Sequence, residues 1–501
     1  MIGENPDQDP AAHILTKSTF LRGLQCPKSL MLDALHPELR DPLDAQARLR
    51  MRLGQEVGML ARARYPGGQI GRIPGAIAPS LKRTQDLISS GVGILYEPAF
   101  QYDDVFILVD ILVKSQGGWR LIEVKSTSQV KDQNRWDLAL QLYVLRGAGI
   151  VIEDAVLLHM NSDYVRQEAL NLHELFAESP LLIEVESLQD EVERSISTSI
   201  ADLKAGQVPA RDIGLYCKDP EECDFIGHCW AHIPDPSVFD VYRLTSRSKF
   251  ALYQEGVVRM EDIPTSFQMS ASSHFHVEAF KGGAELLERE ALKGFVEGLN
   301  YPLYFLDFET FGVPIPPYDG LKPYSNVPFQ YSLHRQDAPG DPVVHSGFLA
   351  QAGSDPRREF LERLLEDTAG SGDIIVYNAS FERGVLRALA EQFPGYAPQL
   401  KQRIDRMVDL MEPFRQRLYW KPAMGGSVSL KSVLPALVPE LSYDVLEVKD
   451  GTQAMQVYLG LPDLANSGAA QAQRAALWQY CELDTLAMVR ILEALYEICG
   501  E

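Results

Sequence analysis

Apolar residues recur along this chain at two periods, and the switches between them mark its elements. From 14 to 66 they fall in helical patches broken by turns, ending at Tyr65-Pro66-Gly67-Gly68. From 93 to 128 the period shortens to two and predicts strands: ILYEPAF, DVFILVDILVK and, after the turn SQGG, WRLIEVKST. The last two are expected to pair as a hairpin across Gly117-Gly118. A helix is predicted from about Asp132 to Arg146, stopped by Gly147 and Gly149. VIEDAVLLHM then reads as a strand, and 181–206 as one long amphipathic helix. A cysteine-rich loop fills 214–230, and 231 to about 300 is polar and helical without a strand cluster. Strands resume at YPLYFLDFE, FQYSLH and VVHSGFLA, followed by a helix near 357–368, the strand DIIVYN, and mostly helix to the end. One strand set between helices suits a mixed α/β domain better than a doubly wound sheet.

A chain of 501 residues exceeds one ordinary core, so two or three domains are expected. No apolar run reaches the roughly 18–20 residues of a membrane span. The start, MIGENPDQDP, has neither a basic n-region nor an apolar h-region, so a cytoplasmic location is the expectation. There, six cysteines point away from disulfides, and clustered ones toward metal. The net charge of −22 argues against a protein that coats DNA and reads its sequence. It fits an enzyme whose bound divalent cations reverse the local sign.

The first chemistry-bearing set is V-D-I-L followed thirteen residues on by I-E-V-K. Strand alternation puts Glu123 and Lys125 on one face, and Asp110 on the preceding strand lies opposite them. Two close carboxylates hold a hard cation such as Mg²⁺. The metal activates water, which an adjacent lysine orients. With Tyr96-Glu97-Pro98 before it and the helix WDLALQLYVL after it, the segment resembles the RecB/AddB-type PD-(D/E)xK nucleases. The resemblance implies Asp110 and Glu123 as metal ligands, Lys125 as the catalytic lysine, and Gln141 with Tyr143 as the helix motif. It also implies Glu56, after Gly54, as an early acidic ligand. Gln141 and Tyr143 stand two apart rather than the family's four, and no histidine stands near Glu56.

The second set is Cys217, Cys223 and Cys229 in YCKDPEECDFIGHCW, with Cys26 far upstream in LRGLQCPKSLML. One cysteine before the nuclease core and three after it is similar to the iron–sulfur subgroup of that family, although the triplet spacing is looser here. The resemblance implies a [4Fe–4S] cluster held by these four thiolates. Zinc on the same thiolates, with His228 replacing one, is the alternative, and plain buried thiols a third.

The third set begins with YFLDFETFG, where Asp307 and Glu309 share a strand face. DIIVYNASFERGVL follows with Asn378, Phe381 and Glu382, and WQYCELDTLAMVRIL places Tyr480 and Asp484 on one helical face. In this order the three motifs resemble the tyrosine branch of the DnaQ-like DEDD exonucleases, which have an RNase H-type fold. The resemblance implies Asp307, Glu309, Glu382 and Asp484 around two metal ions, and Tyr480 orienting the attacking water. Glu382 stands where the family has aspartate, and Asp409 in RMVDLMEP is a candidate to compensate.

The fold class expected is therefore α/β. A PD-(D/E)xK restriction-endonuclease-like domain would span 14–230, a helical linker or small module 231–299, and an RNase H-like DEDD exonuclease domain 300–498. Joined in this order they look like a bacterial two-nuclease family. Within the middle stretch, LTSRSKFALYQEGVVRMEDIP suggests a helix-hairpin-helix, against the plainer reading of a packed connector. The function expected is Mg²⁺- or Mn²⁺-dependent hydrolysis of DNA, as single strands or ends, in repair or in defence against foreign DNA. The C-terminal half would work 3′ to 5′. No G-x-x-x-x-G-K-[ST] loop is present, so unwinding would fall to a separate helicase, and no membrane partner is expected. The alternatives are a degenerate nucleic-acid-binding scaffold that recruits a helicase, an RNA-processing exonuclease, and a non-nuclease enzyme whose acidic residues are surface.

Overall fold

The computed structural model describes residues 14–283, 285–464 and 468–500. They form two compact units: Met1–His232 with Val313–Tyr324, and Ile233–Gly312 with Ser325–Glu501. Both are mixed α/β. No helix among the described residues is long and apolar enough to cross a membrane.

The first unit is built on a six-stranded sheet in the order Gln69–Ile70, Ile94–Tyr96, Ile111–Lys114, Trp119–Lys125, Ile152–Met160, Phe176–Pro180. The expected hairpin is present, with Ile111 opposite Ile122 and Lys114 opposite Trp119. Its turn closes through Ser115 N–H to the Gly118 carbonyl, and a Cβ at Gly118 would stand 2.5 Å from the Val151 carbonyl oxygen, so only glycine fits. The stretch DVFILVDILVK is not one strand, however. Val105–Leu108 pairs with Ala99–Tyr102 in a separate ribbon, and the chain kinks at Val109-Asp110 before Ile111–Lys114 joins the main sheet. Glu97, at φ 46°, donates its N–H to the Asp110 carbonyl across that kink. The expected long helix at 181–206 likewise divides, into Leu182–Ser187 and Gln189–Ala205. The helix Asp132–Gly147 buries Leu138, Leu142 and Leu145 in the same core as Leu112, Leu121 and Leu157 of the sheet.

The second unit has a five-stranded sheet in the order Val344–Leu349, Val327–Gln336, Leu303–Phe311, Ile374–Val376, Met407–Asp409. The first three pair antiparallel with one another in turn, and the last two run parallel to Leu303–Phe311. The helix Gly468–Cys499 is buried along much of its length and shares a core with Leu303, Phe305 and Leu434. The stretch expected as a separate linker belongs here: Leu292 and Val296 of the helix Arg289–Glu297 enter that core, and Leu286–Leu287 pairs with Tyr419–Trp420. No boundary falls at 299/300, because burying that amphipathic helix requires the second unit's core. The helices Ser246–Gln254 and Ala271–Gly282 are joined through a one-turn 3₁₀ segment, Met260–Asp262, and pack on Val238, Leu252, Met260 and Val277. That is a packed connector with its own small core rather than a tight hairpin between helices.

Candidate active sites

In the second unit, strand alternation directs Asp307 and Glu309 to one side of Leu303–Phe311, and the pairing register shifts immediately after Glu309. Asp484 approaches from the helix Gly468–Cys499, four residues after Tyr480. Ligand oxygens of Asp307, Glu309 and Asp484 all lie within 4.8 Å of one another. They line an open cavity of about 530 Å³ together with Glu382, Tyr480, Phe381, Asn378 and Lys431. Gly451 stands against the site, where a Cβ would lie 3.3 Å from Glu309 Oε2.

Burial and mutual repulsion dominate the electrostatics. Burial raises the Asp307 carboxyl well above the usual range, and Asp484, Glu309 and Glu382 add to it. Glu309 is raised by burial and by Asp484, with partial relief from Lys431. Asp484 is pushed up to about 6 by burial, although Tyr443 and Lys431 oppose this. The Tyr443 hydroxyl donates to Asp484 Oδ1 at 2.6 Å. Glu382, in the first turn of Ser380–Gln392, is pushed up to about 8 by burial, and its Oε2 has no hydrogen-bond partner. Carboxylates desolvated together in this way favour protons or a multivalent cation.

Asp409 does not belong to the trio gathered within 4.8 Å. Its Oδ1 accepts the Asn378 N–H at 2.9 Å and the Met411 N–H at 3.0 Å, and Arg415 lies 3.5 Å from Oδ2. It braces the strand-to-helix turn, where Asn378 sits at φ 70°, and acts on Glu382 only through its charge. Sequence reasoning missed Lys431 and Tyr443, because no local spacing connects them to the motifs.

In the first unit, Glu123 is almost wholly buried and sits in a dense polar lattice. Lys125 Nζ lies 2.7 Å from Glu123 Oε1 and 2.7 Å from Asp137 Oδ2. Lys17 Nζ lies 2.8 Å from both Glu123 oxygens and 3.2 Å from Asp137 Oδ1. Gln141 Nε2 donates to Glu123 Oε2 at 2.8 Å and to Asp137 Oδ1 at 2.9 Å. Asp110 Oδ2 accepts the Val124 N–H at 2.8 Å, which places it beside Glu123 across the hairpin. Burial and Asp110 raise the Glu123 carboxyl, but Lys125 and Lys17 outweigh them and hold it below its usual range.

Two expectations are corrected. Tyr143 points away from this lattice and donates to Asp103 Oδ2 at 3.1 Å. A two-residue step turns a helix by about 200°, whereas Asp137 and Gln141, four apart, share a face. Glu56 is exposed on the helix Ala45–Ala63, 4.0 Å from Arg52 of the same helix, and is not gathered with Asp110 and Glu123 within 4.8 Å. Lys17 and Asp137 are the members that sequence reading overlooked. The four-residue spacing of Asp137 and Gln141 was a readable signal, but nothing local announced Lys17.

All four cysteines of the second set line one small cavity, with Ser29, Tyr216 and Trp230. Each is a free thiol. Cys26 caps the helix Lys17–Gln25 and opens the helix Pro27–Leu35. The cysteine loop is tied to this corner by Arg22, whose guanidinium grips the Asp224 carboxylate at 2.5 and 3.0 Å. Gln25 adds bonds to the Tyr216 and Glu221 carbonyls, each 2.7 Å. Tetrahedral zinc would bring its thiolates to within about 3.8 Å of one another. Among the described residues, the one group of three or more His, Cys, Asp or Glu gathered within 4.8 Å is Asp307, Glu309 and Asp484, so no three of these thiols stand that close together. His228 is exposed and does not line the cavity.

Among known proteins, the family described as "Domain of unknown function (DUF2779)" matches residues 304–429. That segment begins inside the strand of Asp307 and Glu309, includes Glu382 and stops before Lys431, Tyr480 and Asp484. No curated protein matches the chain.

Proposed function

We propose that this chain is a metal-dependent nuclease whose principal site is Asp307, Glu309, Glu382 and Asp484. The observation that carries the reading is the largely buried trio within 4.8 Å, open to a cavity that among the described residues is lined by one cation, Lys431. Raised carboxyl affinities for protons, and the unpartnered Glu382 Oε2, fit a site designed around added positive charge. Divalent ions bound there would supply Lewis-acid polarisation of a phosphoryl oxygen and a nucleophilic water. Asp307, Glu309 and Asp484 would hold them, with Glu382 completing the set. Tyr480 lines the cavity and would orient the water, and Tyr443 fixes Asp484 through its hydroxyl. Phe381, half-exposed on the cavity rim, offers a face on which a terminal base can stack. The strand order and directions of the second unit support an RNase H-type fold for it.

For the first unit we propose a PD-(D/E)xK site of Asp110, Glu123, Lys125, Asp137 and Gln141. The four-thiol cavity would hold an iron–sulfur cluster, with zinc on the same thiolates as the alternative. Bound, the cluster would tie Cys26 covalently to the 217–229 loop. One observation favours a second reading for this unit alone. Lys17 and Lys125 already neutralise Glu123 and Asp137, as they would in a binding domain that no longer cuts.

The test is cleavage of end-labelled single-stranded DNA, and of RNA of the same sequence, by anaerobically purified protein in Mg²⁺ and in Mn²⁺. Wild type, Asp307→Asn and Glu123→Ala are run side by side. Loss of a distinct product set in each variant supports two working sites. No cleavage of either substrate by wild type in either metal would sink the reading.

A further inference from the structure

The second unit has another pocket, formed by Arg243, Arg417, Phe275, His276 and Gly426 with Arg415 at its edge. Arg243 and Arg417 both stand at positive φ, 54° and 62°, a backbone conformation that side-chain-bearing residues rarely adopt. Two non-glycine outliers converging on one pocket, both arginine, point to a task that outweighs their strain. Neither has a carboxylate partner among the described residues. Arg417 Cζ stands over the Phe275 ring at 4.5 Å and Arg243 Cζ over the Tyr242 ring at 5.3 Å, so each guanidinium rests against an aromatic ring rather than a carboxylate. The surrounding acids are occupied: Asp240 accepts from Ser237, and Glu412 and Asp409 face Arg415. His276 is held neutral by burial and accepts the Tyr242 N–H at 3.1 Å, while Gly426 packs directly on its ring.

This pocket and the carboxylate cavity share a wall. The Tyr377 hydroxyl, on the cavity side, donates to the carbonyl of Val428, on the pocket side, at 2.7 Å. The loop running from Gly426 to Lys431 contributes to both. Two guanidiniums without a carboxylate partner among the described residues thus share one pocket in a chain of net charge −22, a local excess of positive charge that would attract an anion.

We propose that Arg243 and Arg417 form a phosphate-binding subsite for the backbone of a nucleic-acid strand whose end lies in the carboxylate cavity. The proposal rests on the nuclease reading of that cavity. It assigns substrate grip to the helical stretch before residue 300, through Arg243.

The experiment measures binding of a short fluorescein-labelled single-stranded oligodeoxynucleotide by anisotropy in EDTA, over a series of salt concentrations. The proteins are wild type, Asp307→Asn, and the double variant Arg243→Asn/Arg417→Asn. Asparagine tolerates positive φ, so the double variant is expected to melt no lower than wild type. It should bind about tenfold more weakly at physiological salt, and the slope of log affinity against log salt should fall by about 1.4, for two lost phosphate contacts on a single strand. Unchanged affinity and slope would overturn the subsite, as would weaker binding accompanied by a lower melting temperature. The two readings fail separately. Arginine-dependent binding without cleavage in any metal sinks the nuclease reading alone. Cleavage abolished by Asp307→Asn, with binding indifferent to the arginines, sinks the subsite alone.

Discussion

Replacing Glu382 by glutamine isolates the electrostatic cost of the carboxylate cavity. The side chain is 2% exposed, and burial pushes its carboxyl from 4.5 to about 8. Because the folded-state value lies above the unfolded one, folding favours the protonated form. Stability is therefore lost as pH rises from 4.5 to 8 and is constant outside that window. The loss grows by about 1.4 kcal/mol per pH unit, which gives about 3 kcal/mol at pH 7 and about 5 kcal/mol above pH 8. Glutamine keeps the size and does not titrate, so whatever its amide costs is the same at every pH. The stability difference, variant minus wild type, should thus climb by about 4 kcal/mol between pH 5 and pH 9. Thermal melts in EDTA across that range would read it as a relative gain of roughly 10 °C, taking 2–4 °C per kcal/mol for a unit of this size. Saturating Mn²⁺ should erase the variant's advantage, because a bound cation offsets the cost of burying the charged carboxylate in wild type. Parallel melting curves from pH 5 to pH 9 would refute the reasoning, since they would mean that Glu382 is not a desolvated acid.

Three further outcomes are expected. Lys17→Met should raise Mn²⁺ affinity at the first site about tenfold, measured calorimetrically in an Asp307→Asn background, because Lys17 lies 2.8 Å from both Glu123 oxygens; equal affinity would mean that Lys17 does not compete with a cation. Gln141→Leu should cost about 1–3 kcal/mol in urea unfolding by removing one hydrogen bond from each of two buried carboxylates, while Tyr143→Phe, which loses one exposed bond to Asp103, should stay within about 0.5 kcal/mol. Cys217→Ser protein purified without oxygen should lose its iron, its visible absorbance and more than about 4 kcal/mol of stability; colourless wild type with one zinc per chain would reverse the cofactor assignment.

What was legible in the sequence was whatever a backbone period dictates. Strand spacing put Asp307 and Glu309 on one face, and helix spacing put Tyr480 and Asp484 on another. Both survive in the structure because tertiary packing does not alter those periods. The same rule, applied strictly, would have preferred Asp137 to Tyr143 as the partner of Gln141, and the family pattern drew attention to the wrong residue. Other features depend on packing. The strand break at Val109-Asp110 follows from competition between two pairing partners, and neither is encoded in the run of apolar residues itself. Lys17 meets Glu123 across 106 positions of chain, and Tyr443 meets Asp484 across 41. Contacts of this kind leave no local trace. The unit boundary was also beyond reach, since the helix Arg289–Glu297 is as amphipathic as a linker helix and only its burial assigns it to the second unit.

The two carboxylate sets solve one electrostatic problem in opposite ways. Asp110, Glu123 and Asp137 are met by two lysines within hydrogen-bond reach of Glu123 and Asp137, so Glu123 stays ionised without a metal and its carboxyl affinity for protons falls. Among the described residues, Glu309 and Asp484 are relieved by Lys431, which rests over the rings of Tyr443 and Tyr480 at 5.4 and 5.6 Å, and Glu382 by Arg383, yet the proton affinities of all three, and of Asp307, rise. A site that carries its own cations gains stability when empty and must displace an ammonium to admit a divalent ion. A site without them is costly when empty, and each positive charge that enters relieves that cost. On the proposed nuclease reading, acidic composition is therefore no obstacle to phosphate chemistry. Much of the negative charge that matters is buried in one cavity as a demand for cations, and the unpaired arginines beside it belong to the same unit.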